Sequence, residues 1–259
     1  MPRDNIADFY DYRKRRRRIG NIRWVMVLLF ALICLMAGYF FAQSAFFGLR
    51  KITVSGVSQL SEQQIRDYSG ISLGSNIFSV NEQLAGQWLA TVPLIKSAKI
   101  SKSYPATLKI EIVERQIVAI IPLAAGFVFI DNEGVVLKRE LIVDELPFPL
   151  LTGADNLPSG IAPGTKLGGE KLEALLRVVR QIPEGQEKEI GEIEIITPQQ
   201  IKLYTGEGIE VILGDGSNFP NKYQAFLQII NDPVVQAKKN TINYVDVSYL
   251  EKPVIFYNT

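Results

Sequence analysis

The longest apolar run extends from Trp24 to Ala42, nineteen residues without a charge or a strongly polar group, and its character resumes at Ala45, Phe46 and Phe47. At about 1.5 Å of rise per helical residue the run is roughly 28 Å long, close to the hydrocarbon thickness of a bilayer, which predicts a transmembrane helix within 24–47. A cleaved signal peptide is a rival, with Ala42 and Ser44 as small residues around a cut, but such peptides have apolar cores of only about 7–15 residues. A buried core helix is a weaker rival, because the run has no polar face to turn toward solvent.

Beyond Arg50 the periodicity changes. Lys51–Val54 is a short β-rich run stopped by Ser55-Gly56. Ser61 and Gln64 form a capping-box pair, Leu60 and Ile65 are spaced for a hydrophobic staple, and Gly70 suits the helix stop. A second helix follows Ser79-Val80-Asn81-Glu82, with Leu84, Trp88 and Val92 on one predicted face and Pro93 at its end. The period then drops to two at Ala98 and Ile100 and, after the Tyr104–Thr107 turn, at Leu108, Ile110 and Ile112. The order is β-α-α-β-β.

Further on, Ile117–Ile121, Phe127–Ile130 and Val135–Leu137 predict strands, the last two flanking the turn Asp131-Asn132-Glu133-Gly134. Pro147–Gly153 and Leu157–Gly169 read as a Pro/Gly-rich loop. Glu170–Ile182 predicts a helix with Leu172, Leu175, Leu176 and Val179 inward. Ile193/Ile195, Ile201/Leu203 and Ile209/Val211/Leu213 predict a meander of three strands. A last helix runs from Lys222 to about Ala237, with Tyr223, Phe226, Leu227 and Ile230 forming its apolar stripe.

Composition narrows the chemistry. The chain has no histidine and one cysteine among 259 residues, which removes Ser-His-Asp and Cys-His nucleophiles, His-ligated zinc and an imidazole base. Cys34 lies inside the apolar run and reads as a small apolar residue. Residues 50–259 therefore have no disulfide and depend on their core. Asp131 and Glu133 resemble an acid/base or metal pair only superficially and read as solvated turn formers. Gly214-Asp215-Gly216-Ser217 lacks the spacing and lysine of a phosphate loop. Ser97-Ala98-Lys99 is not the Ser-x-x-Lys of a wall enzyme. No catalytic residue, cofactor or metal is expected.

The formal charge of +1 is a sum over unlike parts. Residues 1–23 hold eight basic and three acidic side chains, a balance of +5, so the remainder carries −4. Lys and Arg beside a membrane helix stay on the cytoplasmic side. Arg13, Lys14, Arg15, Arg16, Arg17 and Arg18 thus read as topogenic, with the N-terminus inside and residues 50–259 outside. Nucleic-acid phosphates would also accept these side chains, but their position before the apolar run accounts for them through topology and the lipid bilayer alone.

Ile52–Val57, the Ser61–Ile65 helix start, Leu73–Phe78, Pro93, Tyr104–Ile110 and Glu114-Arg115 resemble, in order and spacing, the POTRA module of the FtsQ/DivIB family of bacterial cell-division proteins. The resemblance continues through Pro147, Leu150, Thr152, Gly153, Leu213-Gly214, Lys222 and Ile242–Tyr249 into that family's second, β-rich domain. It implies an α+β fold: a basic cytoplasmic tail (1–23), one transmembrane helix (24–47), a POTRA domain (48–116) and a β-rich domain with two packed helices (117–259). It also implies a non-catalytic membrane scaffold at the division septum, recruiting FtsL and FtsB/DivIC-type bitopic proteins and linking early components to septal wall synthesis. Other POTRA-bearing receptors usually repeat the module or add a β-barrel, and neither pattern is present in this sequence.

Val254–Tyr257 is apolar on both faces. A terminal strand of this kind is either buried between neighbours or paired by a partner strand. Family resemblance favours the second, and implies a partner surface made of Ser248, Tyr249, Val254, Phe256 and Tyr257. Many relatives carry Arg at the position of Ser248.

Overall fold

The computed structural model describes residues 5–143, 146–154, 157, 160–183 and 185–258, with side chains described from Arg23 onward. The side chains of Arg13, Lys14, Arg15, Arg16, Arg17 and Arg18 lie outside the described residues. Helix α1 (Asn5–Ala42) contains Arg23–Ala42, which is long and apolar enough to cross a membrane and is unburied by the protein. It ends at Ala42, and Ala45–Phe47 form a separate 3-10 turn.

Two compact units follow from the packing. The first comprises α1 through Ser55, Leu60–Gly86 and Lys99–Glu111; the second comprises Gly56–Gln59, Gln87–Ala98 and the chain from Ile112 onward. The β-α-α-β-β order appears as β1 (Lys51–Ser55), α2 (Glu62–Ser69), α3 (Glu82–Ala90), β2 (Ile95–Ser103) and β3 (Thr107–Glu114), with sheet order β1-β3-β2. β1 runs parallel to β3, setting Ile52 beside Leu108 and Val54 beside Ile110, all four buried. The Ser61–Gln64 capping box forms in both directions, and Gly70 ends α2 at φ 64°.

Helix α3 departs from its predicted face. Ala85 and Leu89 point inward, whereas Leu84 and Trp88 are exposed. Leu84/Trp88 and Ala85/Leu89 are adjacent i, i+4 pairs; the slimmer pair is buried and the bulkier one is left outside.

The second unit contains a nine-stranded sheet, built from β4 (Ala119–Leu123), β5 (Gly126–Ile130), β6 (Val136–Glu140), β7 (Leu150–Thr152), β8 (Ile190–Thr197), β9 (Gln200–Thr205), β10 (Glu210–Gly214), β11 (Ile242–Asp246) and β12 (Val254–Tyr257). The order is β12-β11-β10-β9-β8-β7-β4-β5-β6. The predicted meander is β8-β9-β10, antiparallel throughout. Helix α4 (Glu170–Val179) buries Leu172, Leu175, Leu176 and Val179 as its periodicity requires, together with Ala174 and Val178.

Other expectations are corrected. Leu150–Thr152 is not loop: it is β7, parallel to both β4 and β8, with Leu151 fully buried. Three residues are too few to show alternation, so only position identifies this strand. The last helix is divided into α5 (Phe219–Ile230) and α6 (Pro233–Gln236). Pro233 cannot donate to the preceding turn, and Asp232 caps the restart by accepting from the Val234 amide at 2.8 Å. Tyr223, Phe226 and Ile230 are buried as predicted, and Phe219 joins them.

Gly153 closes β7 at φ 80°, where an added Cβ would lie 2.0 Å from the Ile195 carbonyl oxygen. Gly153→Ala is therefore expected to destabilise the second unit by about 2 kcal/mol or more, through strain and displacement of β8. A shift of the urea midpoint to lower concentration checks this; an unchanged midpoint would contradict it.

Candidate partner-binding edge

β12 is the terminal strand of the sheet, paired only with β11 among the described residues. Antiparallel register sets Val254 opposite Asp246, Ile255 opposite Val245 and Phe256 opposite Tyr244. The strand is therefore not sandwiched between neighbours. Ile255 packs toward the core, while Val254, Phe256 and Tyr257 are exposed at 45%, 47% and 40%. On the helix side an open groove of about 410 Å³ is lined by Ala225, Ile229, Val235, Leu250, Pro253 and Ile255, with the polar Gln228 and Asp232 among them. The edge thus presents apolar surface on both faces, with an unpaired backbone between them.

Ser248 and Tyr249 lie on the turn after β11, at the Val254 end of β12. The Ser248 amide donates to Asp246 Oδ1 at 2.8 Å, which fixes the turn, and Tyr249 is 80% exposed. Ser248 faces Gly214 so closely that a Cβ there would lie 3.3 Å from its own Cβ. All five predicted residues thus belong to β12 or the turn that leads into it.

Lys222 stands behind this turn. It is buried, donates from Nζ to the Leu213 carbonyl at 2.7 Å, and pairs with Asp215 Oδ1 at 3.3 Å. Asp215 also accepts from the Ser217 hydroxyl and amide; these bonds and then Lys222 hold its carboxyl at about 2. The Gly214–Ser217 segment is accordingly a pinned turn, as its sequence predicts.

The face opposite the helices, from β8 to β12, has a pattern that no single strand reveals. Strand registers align Glu192, Tyr204, Glu210, Tyr244 and Phe256 in one row across the sheet, and Glu194, Lys202, Ile212, Asp246 and Val254 in the next. Four carboxylates and one ammonium make this surface acidic. Lys202 pairs with Glu210 at 2.9 Å, and that bond raises its pKa. The Tyr204 hydroxyl donates to Glu194 at 3.0 Å; burial, then that bond, push the phenol up to about 12. Tyr244 and Phe256 stack with centroids 4.4 Å apart, so the face turns apolar toward the edge. Alternation within each strand shows which residues share this face, but their alignment needs the register.

A second ionic cluster corrects an expectation. Asp131 is not solvated but buried, 2% exposed. Its Oδ1 accepts from the Glu133 and Val135 amides at 2.9 and 2.8 Å, and its Oδ2 pairs with Arg115. Arg115 Nη1 also donates to Glu133 at 2.9 Å, and Lys96 pairs with the other Glu133 oxygen at 2.8 Å. Two carboxylates with two cations leave no unneutralised acid to act as a base. The described residues contain no group of three or more His, Cys, Asp or Glu side chains suited to a metal ion.

An apolar N-terminal helix long enough to cross a membrane, a β-α-α-β-β module and a β-rich domain ending in an open edge are together the parts of a POTRA-bearing protein. Family models agree: an FtsQ-type POTRA domain matches residues 47–115, and the C-terminal domain of the cell division proteins FtsQ and DivIB matches residues 119–248. The chain belongs to the FtsQ/DivIB family of cell-division proteins. It is 26% identical over 251 residues to cell division protein FtsQ of Geotalea daltonii, covering 95% of this chain and 89% of that one. Cell division protein DivIB of Clostridium botulinum strain Hall is 26% identical over 264 residues, covering 99% of both. Among solved structures, the major extracytoplasmic domain of the trans isomer of DivIB from Geobacillus stearothermophilus is similar at 17% identity and a TM-score of 0.33, covering 48% of this chain and 92% of that one.

Hydrogen bonds from Lys96 and Arg115 hold the Glu133 carboxyl at about 2, below its ordinary 4.5. A depressed folded-state pKa contributes stability that is present above pH 4.5 and lost as pH falls toward 2. Because Glu133 is solvent-accessible, screening keeps the contribution small. Glu133→Gln should therefore flatten the acid limb of stability against pH, read from urea midpoints across that window. Coincident acid limbs for the two proteins would count against the assignment.

Proposed function

We propose that the protein is a non-catalytic, single-pass scaffold of the bacterial divisome. The basic N-terminal segment stays in the cytoplasm, held by the positive-inside effect and anionic lipid, and the two folded units lie outside the cytoplasmic membrane at the division septum. Its output is assembly: it recruits FtsL and FtsB/DivIC-type bitopic proteins and connects early division components to the septal wall synthesis machinery.

The observation that carries this reading is the exposed apolar edge at β12. Strand edges are normally blunted by charge, bulges or cover, because an unpaired ladder invites another chain. Here Pro253 starts the strand and the β11–β12 register shifts between Ile242 and Tyr244, yet Val254, Phe256 and Tyr257 stand in the open beside a groove of mixed apolar and polar lining. A partner strand added to β12 would place alternate side chains in the groove and over the acidic face. The residues of this chain in contact would include Ser248, Tyr249, Val254, Phe256 and Tyr257. Asp246 on β11 and Glu210 on β10, the strands next to β12, favour a partner with Lys or Arg next to apolar residues, and such charge complementarity acts mainly on association rate and specificity.

Deleting residues 253–259 should abolish copurification of the bitopic partners while circular dichroism retains the signature of the folded domain. Retained capture by a folded truncation would remove the edge from the mechanism. Replacing Glu210 and Asp246 together by Gln and Asn should weaken capture roughly threefold to tenfold at low salt and less at high salt, since salt screens exposed charges. Equal capture at both ionic strengths would exclude the acidic face.

A further inference from the structure

The first unit carries a second exposed apolar surface, and it belongs to the end of α1. Phe46, Leu73, Phe78 and Tyr104 are 50%, 61%, 49% and 58% exposed. They come from separate turns, yet a chain of ring contacts joins most of them to the helix. Phe41, in the last turn of α1, meets Phe46 at 5.8 Å and Phe47 at 5.3 Å between centroids. Phe47 meets Phe78 at 4.9 Å, and Phe78 meets Tyr104 at 5.4 Å.

Polar contacts hold the loop in place. Asn76 Nδ2 donates to the carbonyl of Ala42, the final residue of α1, at 2.7 Å. The Gly74 amide donates to the Leu49 carbonyl and the Leu49 amide to the Ser75 carbonyl, both at 2.8 Å. Leu73 is therefore carried on a loop pinned to the chain leaving the helix. On the other side, the Arg50 amide donates to the Ala106 carbonyl at 2.8 Å, fastening the Tyr104–Ala106 turn beside the exposed cations Arg50 and Lys51.

We propose that this surface, Phe46, Leu73, Phe78 and Tyr104 with Arg50 and Lys51 at its rim, docks into the headgroup layer of the outer membrane leaflet. The inference rests on α1 crossing the bilayer. Each headgroup layer is about 5–8 Å deep, and two ring contacts of about 5 Å connect Phe41 to Phe78. Phe78 therefore lies no more than about 10 Å from Phe41, a distance comparable to the depth of that layer. Tyr104 suits that depth, where its apolar ring and polar hydroxyl meet both environments; Phe46, Leu73 and Phe78 add apolar surface toward the acyl boundary, and Lys or Arg beside them pairs with lipid phosphate. Exposed apolar patches mark interaction sites, and the ties of this one to the last turn of α1 favour the membrane as its occupant. Docking would leave the POTRA unit seated on the membrane instead of swinging on a tether.

The test uses the full chain with Trp24 and Trp88 replaced by Phe, reconstituted in vesicles of phosphatidylcholine and phosphatidylglycerol. Single tryptophans are introduced as Phe41→Trp, Phe78→Trp or Tyr104→Trp. Phosphatidylcholine brominated near the headgroup end of its acyl chains should quench all three to a similar extent and blue-shift their emission. Quenching of Phe41→Trp alone, with the other two reached by aqueous acrylamide, would overturn the docking and leave the span intact. An unquenched Phe41→Trp would remove the span, and the docking with it. Tyr104→Trp, at an exposed position, keeps the test valid if Phe78→Trp disturbs the fold.

Discussion

The three-residue strand β7 is the constraint on which the larger unit depends. It pairs in parallel with β4 on one side and β8 on the other, joining the β4-β5-β6 hairpins to the β8–β12 half in one sheet. Without it the fold would have two small sheets and two additional edges. Its stability comes from position: Leu151 is fully buried in the core under the helices, and the parallel ladders satisfy its backbone. Because β7 closes the interior edges, the open end of the β8–β12 half falls on β12, where both faces are apolar. The exposed apolar edge is thus a product of strand order as much as of the residues in β12.

Charge is distributed according to what it does. At Asp131 the carboxylate is buried and fully engaged by two amides and Arg115, an arrangement that holds a turn and offers no free base. Lys222 is buried in the same manner, its ammonium spent on the Leu213 carbonyl and Asp215. On the open face, by contrast, Glu192, Glu194, Glu210 and Asp246 are half-exposed and in rows, so their field reaches solvent. The buried charges shape the scaffold and the partly exposed ones face solvent. A histidine-free chain suits such a division, since it requires no group that changes charge near neutral pH.

Local pattern alone determined the apolar helix, the Ser61 capping box, the inward faces of α4 and α5, the alternating strands and the β-α-α-β-β order, because each is written in residues within a few positions of one another. The break at Asp232-Pro233 was also legible, since proline cannot continue a helix, although the apolar stripe of α5 obscured it. Tertiary structure decided the rest. β7 is too short to carry a period, the buried Asp131 is paired with Arg115 arriving from the end of β3, and α3 buries Ala85 and Leu89 while Leu84 and Trp88 stay exposed. The rows of acidic and aromatic residues and the exposure of β12 follow from register and strand order. Those are settled by contacts between distant segments, which no local periodicity encodes.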